Sequence, residues 1–295
     1  MALSLVHLKG NTFYIPSPTN VGIYVNNGNA ILIDSGNDKE AGRQILKLLK
    51  EQGWNLKLII NTHSNADHVG GNQFLQDKTN CDILSTRIES AFITDPILEA
   101  SFLYGGLPFK DLNNKFLMAK PSAVTNIIPS DGEIFNTGLK TISLPGHYFD
   151  MIGVLTPDDV FFVGDSVFPE NIIKKYHIYY ILDVKAHLKT LEKLNNFNAE
   201  MFVPSHGEPI KDIKDLVELN KNEVLGIASK IQNICSEGKT IEEILENICD
   251  IYDISLDANQ YVLLSSTIRS YITYLYEEGS IRPIFNKNKL LWEKA

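Results

Sequence analysis

Asn61-Thr62-His63-Ser64-Asn65-Ala66-Asp67-His68-Val69-Gly70-Gly71-Asn72 is the stretch on which the reading of this chain turns. It follows directly on Leu56 to Asn61, a short apolar run that reads as a buried strand. Functional groups in α/β proteins collect at strand ends, because loops there bring side chains from several elements to one point. Imidazole and carboxylate are ligands for borderline and hard cations, and close spacing in one turn lets several of them face one ion. Asp67 and His68 can bind one ion together, and His63 can face a neighbouring one.

Three more side chains of the same kind lie downstream, each in a turn that follows a strand-like run. His147 stands in Leu144-Pro145-Gly146-His147, Asp165 in Val163-Gly164-Asp165-Ser166, and His206 in Val203-Pro204-Ser205-His206-Gly207. Four of the seven histidines thus occupy strand-end turns beside Gly or Asp, a clustering that random scatter does not produce. The other three read as structural or surface residues: His7 on a terminal strand, His177 ahead of a helix and His187 within it.

Outward from these turns the chain has an α/β rhythm. Strand-like pieces run over Ser4 to His7, Thr12 to Ile15, Gly22 to Asn26 and Ala30 to Asp34, broken by turn residues such as Asn27-Gly28-Asn29. Ala41, Ile45, Leu48 and Leu49 predict a helix over Lys39 to Gln52, which Gly53 stops. Ile88 to Val124 reads as an insertion of short helices, in which Gly105-Gly106 and Pro108 form either the hinge of a cover or an ordinary loop. Further strands are expected over Glu133 to Phe135, Lys140 to Leu144, Ile152 to Thr156 and Val160 to Val163, followed by a helix over Ile181 to Leu194 and a strand over Met201 to Pro204. Two mixed sheets with helices outside fit this order, a four-layer αββα sandwich. From residue 215 the texture changes to helices over Glu218 to Ile234, Thr240 to Asp250 and Leu256 to Glu278, closed by a hairpin of Ser280 to Phe285 and Leu290 to Trp292. The expected division is residues 1–214 for the sandwich and 215–295 for a helical, winged-helix-like appendage.

Composition limits the partners. In 295 residues there are 36 acidic and 27 basic side chains, a formal charge of −9, which excludes a broad electrostatic grip on nucleic acid or anionic lipid. The appendage is itself acidic around Glu242, Glu243, Glu246 and Asp250, so packing, a homodimer contact or pocket lining suits it better than DNA. Cys81, Cys235 and Cys249 are odd in number and widely spaced, which fits free buried thiols rather than a disulfide scaffold. With no apolar run long enough for a bilayer and no signal-like start, the expectation is a soluble cytoplasmic protein.

The run Thr62-His63-Ser64-Asn65-Ala66-Asp67-His68, followed by His147, Asp165 and His206, resembles the metallo-β-lactamase superfamily, whose hallmark is T-H-x-H-x-D-H with a distant His, Asp and His on an αββα sandwich of glyoxalase-II-like type. The resemblance spans about residues 10 to 210, and the tail resembles the winged-helix-like domain of some members. It implies a metal-dependent hydrolase with one or two ions, Zn²⁺ or else iron or manganese, acting on a small thioester, ester, lactone or phosphodiester. One ion would take His63 and His147 with Asp165 bridging, and the other Asp67, His68, Asp165 and His206. Asp67 and Asp165 are the implied catalytic carboxylates, and Asp34 matches an acid behind the first motif that orients a ligand. Such an ion brings the pKa of its water to about 7, which supplies hydroxide at neutral pH.

Asn65 departs from the pattern, because the family usually has a second histidine there. Its neutral carbonyl is a poorer zinc ligand than imidazole. It is expected to cap the helix that starts near Asp67 or to stand behind the ligands, which leaves the second site the tighter one. Two other readings share the scaffold: a mononuclear iron thiol dioxygenase, and a non-catalytic metal-binding relative.

Overall fold

In the computed structural model, which describes residues 3–295, the first half of the chain lays down one sheet in sequence order. Its strands are β1 (Val6–Lys9), β2 (Thr12–Ile15), β3 (Val21–Asn26), β4 (Asn29–Ile33), β5 (Asn55–Ile60), β6 (Asp82–Ser85) and β7 (Asn126–Ile127). Pairing is antiparallel from β1 to β4 and parallel from β4 to β7. A second sheet contains β8 (Gly132–Glu133), β9 (Lys140–Ser143), β10 (Ile152–Leu155), β11 (Val160–Gly164) and β12 (Met201–Pro204), in the spatial order β12-β11-β10-β9-β8. Only β11 and β12 are parallel there.

Strand alternation builds the layers. Ile31, Ile33 and Ile60 point between the sheets and meet Val160, Phe162 and Val203 from the other side. Their sequence neighbours Ala30, Leu32 and Ile59 point outward, onto Ile45 and Leu49 of helix α1 (Lys39–Glu51). Phe161, Val163 and Phe202 likewise face Leu191 and Leu194 of helix α7, which spans Val184–Asn195. Each such side chain, removed from water, contributes about 1.5–3 kcal/mol. The result is the helix–sheet–sheet–helix order expected from the sequence. Both outer helices start on an aspartate: Asp38 accepts from the amides of Glu40 and Ala41, and Asp183 from that of Ala186.

Between α1 and α7 lie α2 (Ala66–Val69), α3 (Asn72–Thr79), α4 (Arg87–Thr94), α5 (Ile97–Tyr104) and α6 (Glu170–Tyr176). The sequence reading has no counterpart for α3 or β6, since both are short and only two residues of α3, Asn72 and Leu75, are buried. The tail consists of α8 (Lys214–Ile234), α9 (Ile241–Tyr252), α10 (Ala258–Glu277) and the hairpin β13 (Ile281–Asn286) with β14 (Lys289–Lys294). Helix α8 starts four residues before the expected Glu218 and packs into two cores. Val217 joins the core under α7, whereas Val224, Ile227 and Ile231 join a core that also holds Phe168, Ile173 and Val184. Among the described residues no helix is long and apolar enough to cross a membrane.

One backbone approach ties the fold to the histidine-bearing loop. Gly146 adopts φ +126°, and a Cβ there would lie 2.3 Å from the His187 amide nitrogen at the start of α7. A side chain would be strained by the backbone angle and would also push α7 off the loop. Gly146→Ala is therefore expected to lower stability by about 3 kcal/mol, measured as a drop in the urea midpoint; an unchanged midpoint would show that the loop does not need this contact.

Candidate metal centre

The six side chains singled out in the sequence come from loops and the short helix α2 at one edge of the sandwich. Asp34 follows β4 and Thr62–His63 follow β5, two parallel neighbours, while Asp165 follows β11 and His206 follows β12, the parallel pair of the other sheet. His147 enters from the loop between β9 and β10. Parallel pairs end on the same side, so their following turns converge. The Thr62 carbonyl accepts from the Ile152 amide at 2.9 Å and so joins the motif to the second sheet. Gly71 lets α2 settle against the turn after β4: a Cβ there would lie 2.3 Å from the Ser35 carbonyl oxygen.

Each histidine is held through Nδ1. His68 donates to Asp34 Oδ2 at 2.8 Å, His147 to the Tyr180 carbonyl at 2.8 Å and His206 to the Pro18 carbonyl at 2.7 Å. Thr62 gives its hydroxyl proton to Asp34 Oδ2 at 2.8 Å, so its oxygen accepts from His63 Nδ1 at 3.0 Å. An outer hydrogen bond of this kind fixes the ring and turns Nε2 inward, as in metal-binding histidines.

The inward atoms lie close together. His68 Nε2 is 3.3 Å from Asp165 Oδ1 and 3.7 Å from Asp67 Oδ2, while His206 Nε2 is 3.2 Å from Asp165 Oδ2 and 3.6 Å from Asp67 Oδ2. Ligand atoms of His63, His68 and Asp165 all lie within 4.8 Å of one another, and so do those of Asp67, His68 and His206. His63 Nε2, His68 Nε2 and Asp165 Oδ1 are buried with no hydrogen-bond partner. Orphaned buried polar atoms are costly, and three of them within 4.8 Å of one another fit a cation between them. Asp67, with 44% of its side chain exposed, and His206 form the open edge, and Thr19 donates to Asp67 Oδ2 at 2.7 Å.

The charges tell the same story. Burial opposes a charge on His68, but the carboxylates of Asp165, Asp67 and Asp34 outweigh it and raise its pKa well above the ordinary value. The same contest, led on the raising side by Asp165, brings His206 up to about 9. Burial disfavours ionised Asp165, yet the His206 and His68 charges hold it well below the usual carboxylate range. Burial, with the His68 charge next, pushes His63 well down, and burial also lowers His147. Two protonated imidazoles therefore balance the carboxylates, and a divalent cation would take that role and release their protons.

Asn65 departs from one of its expected roles. It occupies the N-cap position of α2, but its side chain makes no cap hydrogen bond. Its amide instead bridges His147 Nε2, at 3.0 Å, and Glu99 Oε1, at 2.7 Å. Glu99 and a second buried carboxylate, Glu89, are the functional side chains that the sequence reading missed. Glu89 accepts from the Ser64 amide at 3.0 Å, the Ser64 hydroxyl at 2.6 Å and the Asp150 amide at 2.9 Å, and so holds the motif turn from α4. The signal for both was a lone acid within an apolar helical stretch, Glu89 beside Phe92 and Ile93, and Glu99 beside Ala100 and Leu103. Of the remaining histidines, His187 is fully buried and held near 3 by burial, and His7 is exposed.

Two outcomes follow for these supporting carboxylates. Asp34→Ala frees both His68 Nδ1 and Thr62, and metal affinity should fall about 10–100-fold in a chelator competition titration; unchanged affinity would mean that Asp34 does not orient the ligands. Burial raises Glu89 from 4.5 to about 7, against the three donors that pull it down. The metal-free fold therefore takes up a proton there: this stabilisation is complete below pH 4.5 and is lost as pH rises through 7. Measured in chelator by chemical denaturation, Glu89→Gln should gain about 2–3 kcal/mol on the native chain between pH 5 and 8. A constant difference would show that Glu89 is ionised throughout.

Comparison with known proteins agrees with this picture. The chain is 29% identical over 148 residues to a hydroxyacylglutathione hydrolase of Haemophilus influenzae, covering 49% of this chain and 64% of that one. It is 26% identical over 161 residues to a probable metallo-hydrolase of Bacillus subtilis, covering 53% and 70%. It is also 21% identical over 250 residues to a linear primary-alkylsulfatase of Pseudomonas, covering 74% of this chain but only 47% of that protein's length. Among solved structures, a metallo-beta-lactamase family protein from Thermus thermophilus superposes with a TM-score of 0.74 at 18% identity, covering 100% of this chain and 99% of that one. A beta-lactamase domain protein from Burkholderia ambifaria gives 0.78 at 15% identity, covering 99% and 94%. These likenesses extend the shared fold through the helical tail. The sequence pattern of the metallo-beta-lactamase superfamily matches residues 14–206, the span that carries every converging side chain described above, and the chain belongs to that superfamily.

Proposed function

We propose that this chain is a metal-dependent hydrolase of small carboxylic esters, thioesters or lactones, with zinc as the resident ion. The observation that carries the reading is the set of three buried, partnerless atoms, His63 Nε2, His68 Nε2 and Asp165 Oδ1, clustered beside Asp67 and His206. Imidazole and carboxylate together suit zinc, iron or manganese better than the all-oxygen environment of calcium. The printed names of two relatives, a hydroxyacylglutathione hydrolase and a metallo-hydrolase, support hydrolysis as the reaction class.

His63, His68 and Asp165 would hold the ion, with Asp67 and His206 on its open edge and His147 nearby. A bound ion of this type supplies hydroxide at neutral pH and stabilises the oxyanion of an acyl-transfer transition state. The protein's own contribution is directional. Asp67 is the partly exposed carboxylate, and Thr19 fixes one of its oxygens, which leaves the other free to orient an attacking water or to accept its proton. The open edge at Asp67 and His206 is where a substrate carbonyl can approach. Buried His63, His147 and Asp165 close the opposite side against water.

Asp165→Ala removes the carboxylate that faces His68 and His206, and it should strip most of the metal and abolish turnover of a thioester and lactone panel. Metal content by mass spectrometry checks this, and retained metal would overturn the ligand assignment. Iron as the native ion, together with substrate-dependent oxygen uptake, would replace the hydrolase reading by an oxidative one. Turnover of phosphodiesters alone would move the substrate class.

A further inference from the structure

Asn65 stands where the superfamily pattern has a histidine, and its amide already has two partners. His147 Nε2 lies 3.0 Å from one end of that amide and Glu99 Oε1 2.7 Å from the other. His147 donates through Nδ1 to the Tyr180 carbonyl, which can only accept. Whichever end of the amide faces Nε2, that nitrogen is spent. If the carbonyl faces it, Nε2 carries a proton and has no lone pair; if the amino group faces it, the lone pair accepts that hydrogen bond. In either case Asn65 holds Nε2, which otherwise faces inward, 3.7 Å from Asp165 Oδ2.

The partnerless atoms lie elsewhere. His63, His68 and Asp165 contribute all three of them within the cluster, and neither His147 nor Asn65 contributes any. Glu99 is 4% exposed, and the next residue, Ala100, packs with Leu103, Leu112 and Leu117 against Val262 of α10. That core fixes the helix backbone that carries Glu99.

We infer that the centre holds a single divalent cation among His63, His68 and Asp165, with Asp67 and His206 beside it, and that Asn65, positioned by Glu99, occupies His147 so that it is not a ligand. This rests on the metalloenzyme reading above and fixes its stoichiometry. Asn65 and Glu99 are positioning residues that fill the place of a second ion.

The test is metal counting on the full chain, loaded with excess Zn²⁺, desalted and measured by mass spectrometry, with the Kd taken from chelator competition. The native chain should retain one Zn²⁺. His147→Gln should also retain one, with its Kd within about threefold of native, because the inferred site does not use that ring. The double variant Asn65→His with Glu99→Ala should take up a second ion. Two tightly held ions in the native chain, or loss of the ion in His147→Gln, would overturn the inference while leaving the metalloenzyme reading intact. A folded double variant that still holds one ion would overturn the role given to Asn65 and Glu99. No Zn²⁺ in the folded native chain would overturn the metalloenzyme reading itself. Should the double variant fail to fold, the native count and His147→Gln still decide the stoichiometry.

Discussion

The carboxylate of Asp34 holds the centre together. Oδ1 accepts from the Thr62 amide at 2.8 Å, and Oδ2 accepts from both the Thr62 hydroxyl and His68 Nδ1, each at 2.8 Å. One buried side chain thus sets the ring of His68 directly and that of His63 through Thr62. To do so, Asp34 takes a left-handed backbone, φ 62°, just beyond the end of β4. Aspartate tolerates that conformation better than most residues, yet it still costs energy, and such outliers persist where surrounding contacts over-determine them. Here the contacts are the Ile60 carbonyl, which accepts the Asp34 amide at 2.9 Å, and the three hydrogen bonds to its side chain. A strained residue between two parallel strands is therefore the hinge between fold and chemistry.

The electrostatics of the site follow from this arrangement. Asp34 and Asp165 are buried and Asp67 is near them, so anions gather at one edge of an already acidic chain. Buried charges need partners. In the protein without a cation, His68 and His206 supply them by keeping protons that burial alone would remove. The two rings that retain protons are those nearest Asp165 and Asp67, and the rings farther from that pair, His63 and His147, lose theirs. Positive charge is thus drawn to one side of the cluster, that of Asp165 and Asp67.

Much of this was legible in the sequence, for physical reasons. The strand-end turns were visible because continuous apolar runs such as Ala30 to Ile33 and Val160 to Val163 end abruptly at Asp or Gly. Two sheets packed face to face need alternate residues buried on both sides, and those runs are apolar at every position. Short elements with little buried surface, α3 and β6, left no such trace. The capping role expected of Asn65 followed local propensity, and local propensity lost to tertiary partners: a ring 82 residues away in sequence and a carboxylate 34 residues away took the amide. Glu89 and Glu99 were hidden because the insertion has no strong periodicity to say which face is inside. Their burial depends on what the helices lie against, which a single sequence does not state.

That dependence carries the tail into the chemistry. Val262 of α10 belongs to the same small core as Ala100 and Leu103 of α5, and Asn114 of the insertion donates to Asn259 at 2.8 Å. Helix α5 carries Glu99, Glu99 holds Asn65, and Asn65 holds His147. The appendage is thus linked to the histidine cluster by packed, buried contacts, not by a flexible tether. A second route runs through Phe168, which lies in the appendage core and stacks on the His206 ring at 5.8 Å and 14°. Both routes end on histidines that approach Asp165 Oδ2, His147 at 3.7 Å and His206 at 3.2 Å. Packing transmits displacement because interiors are dense and leave little slack. The helical tail is accordingly part of what shapes this centre, which gives it a physical role even though none of its side chains enters the cluster.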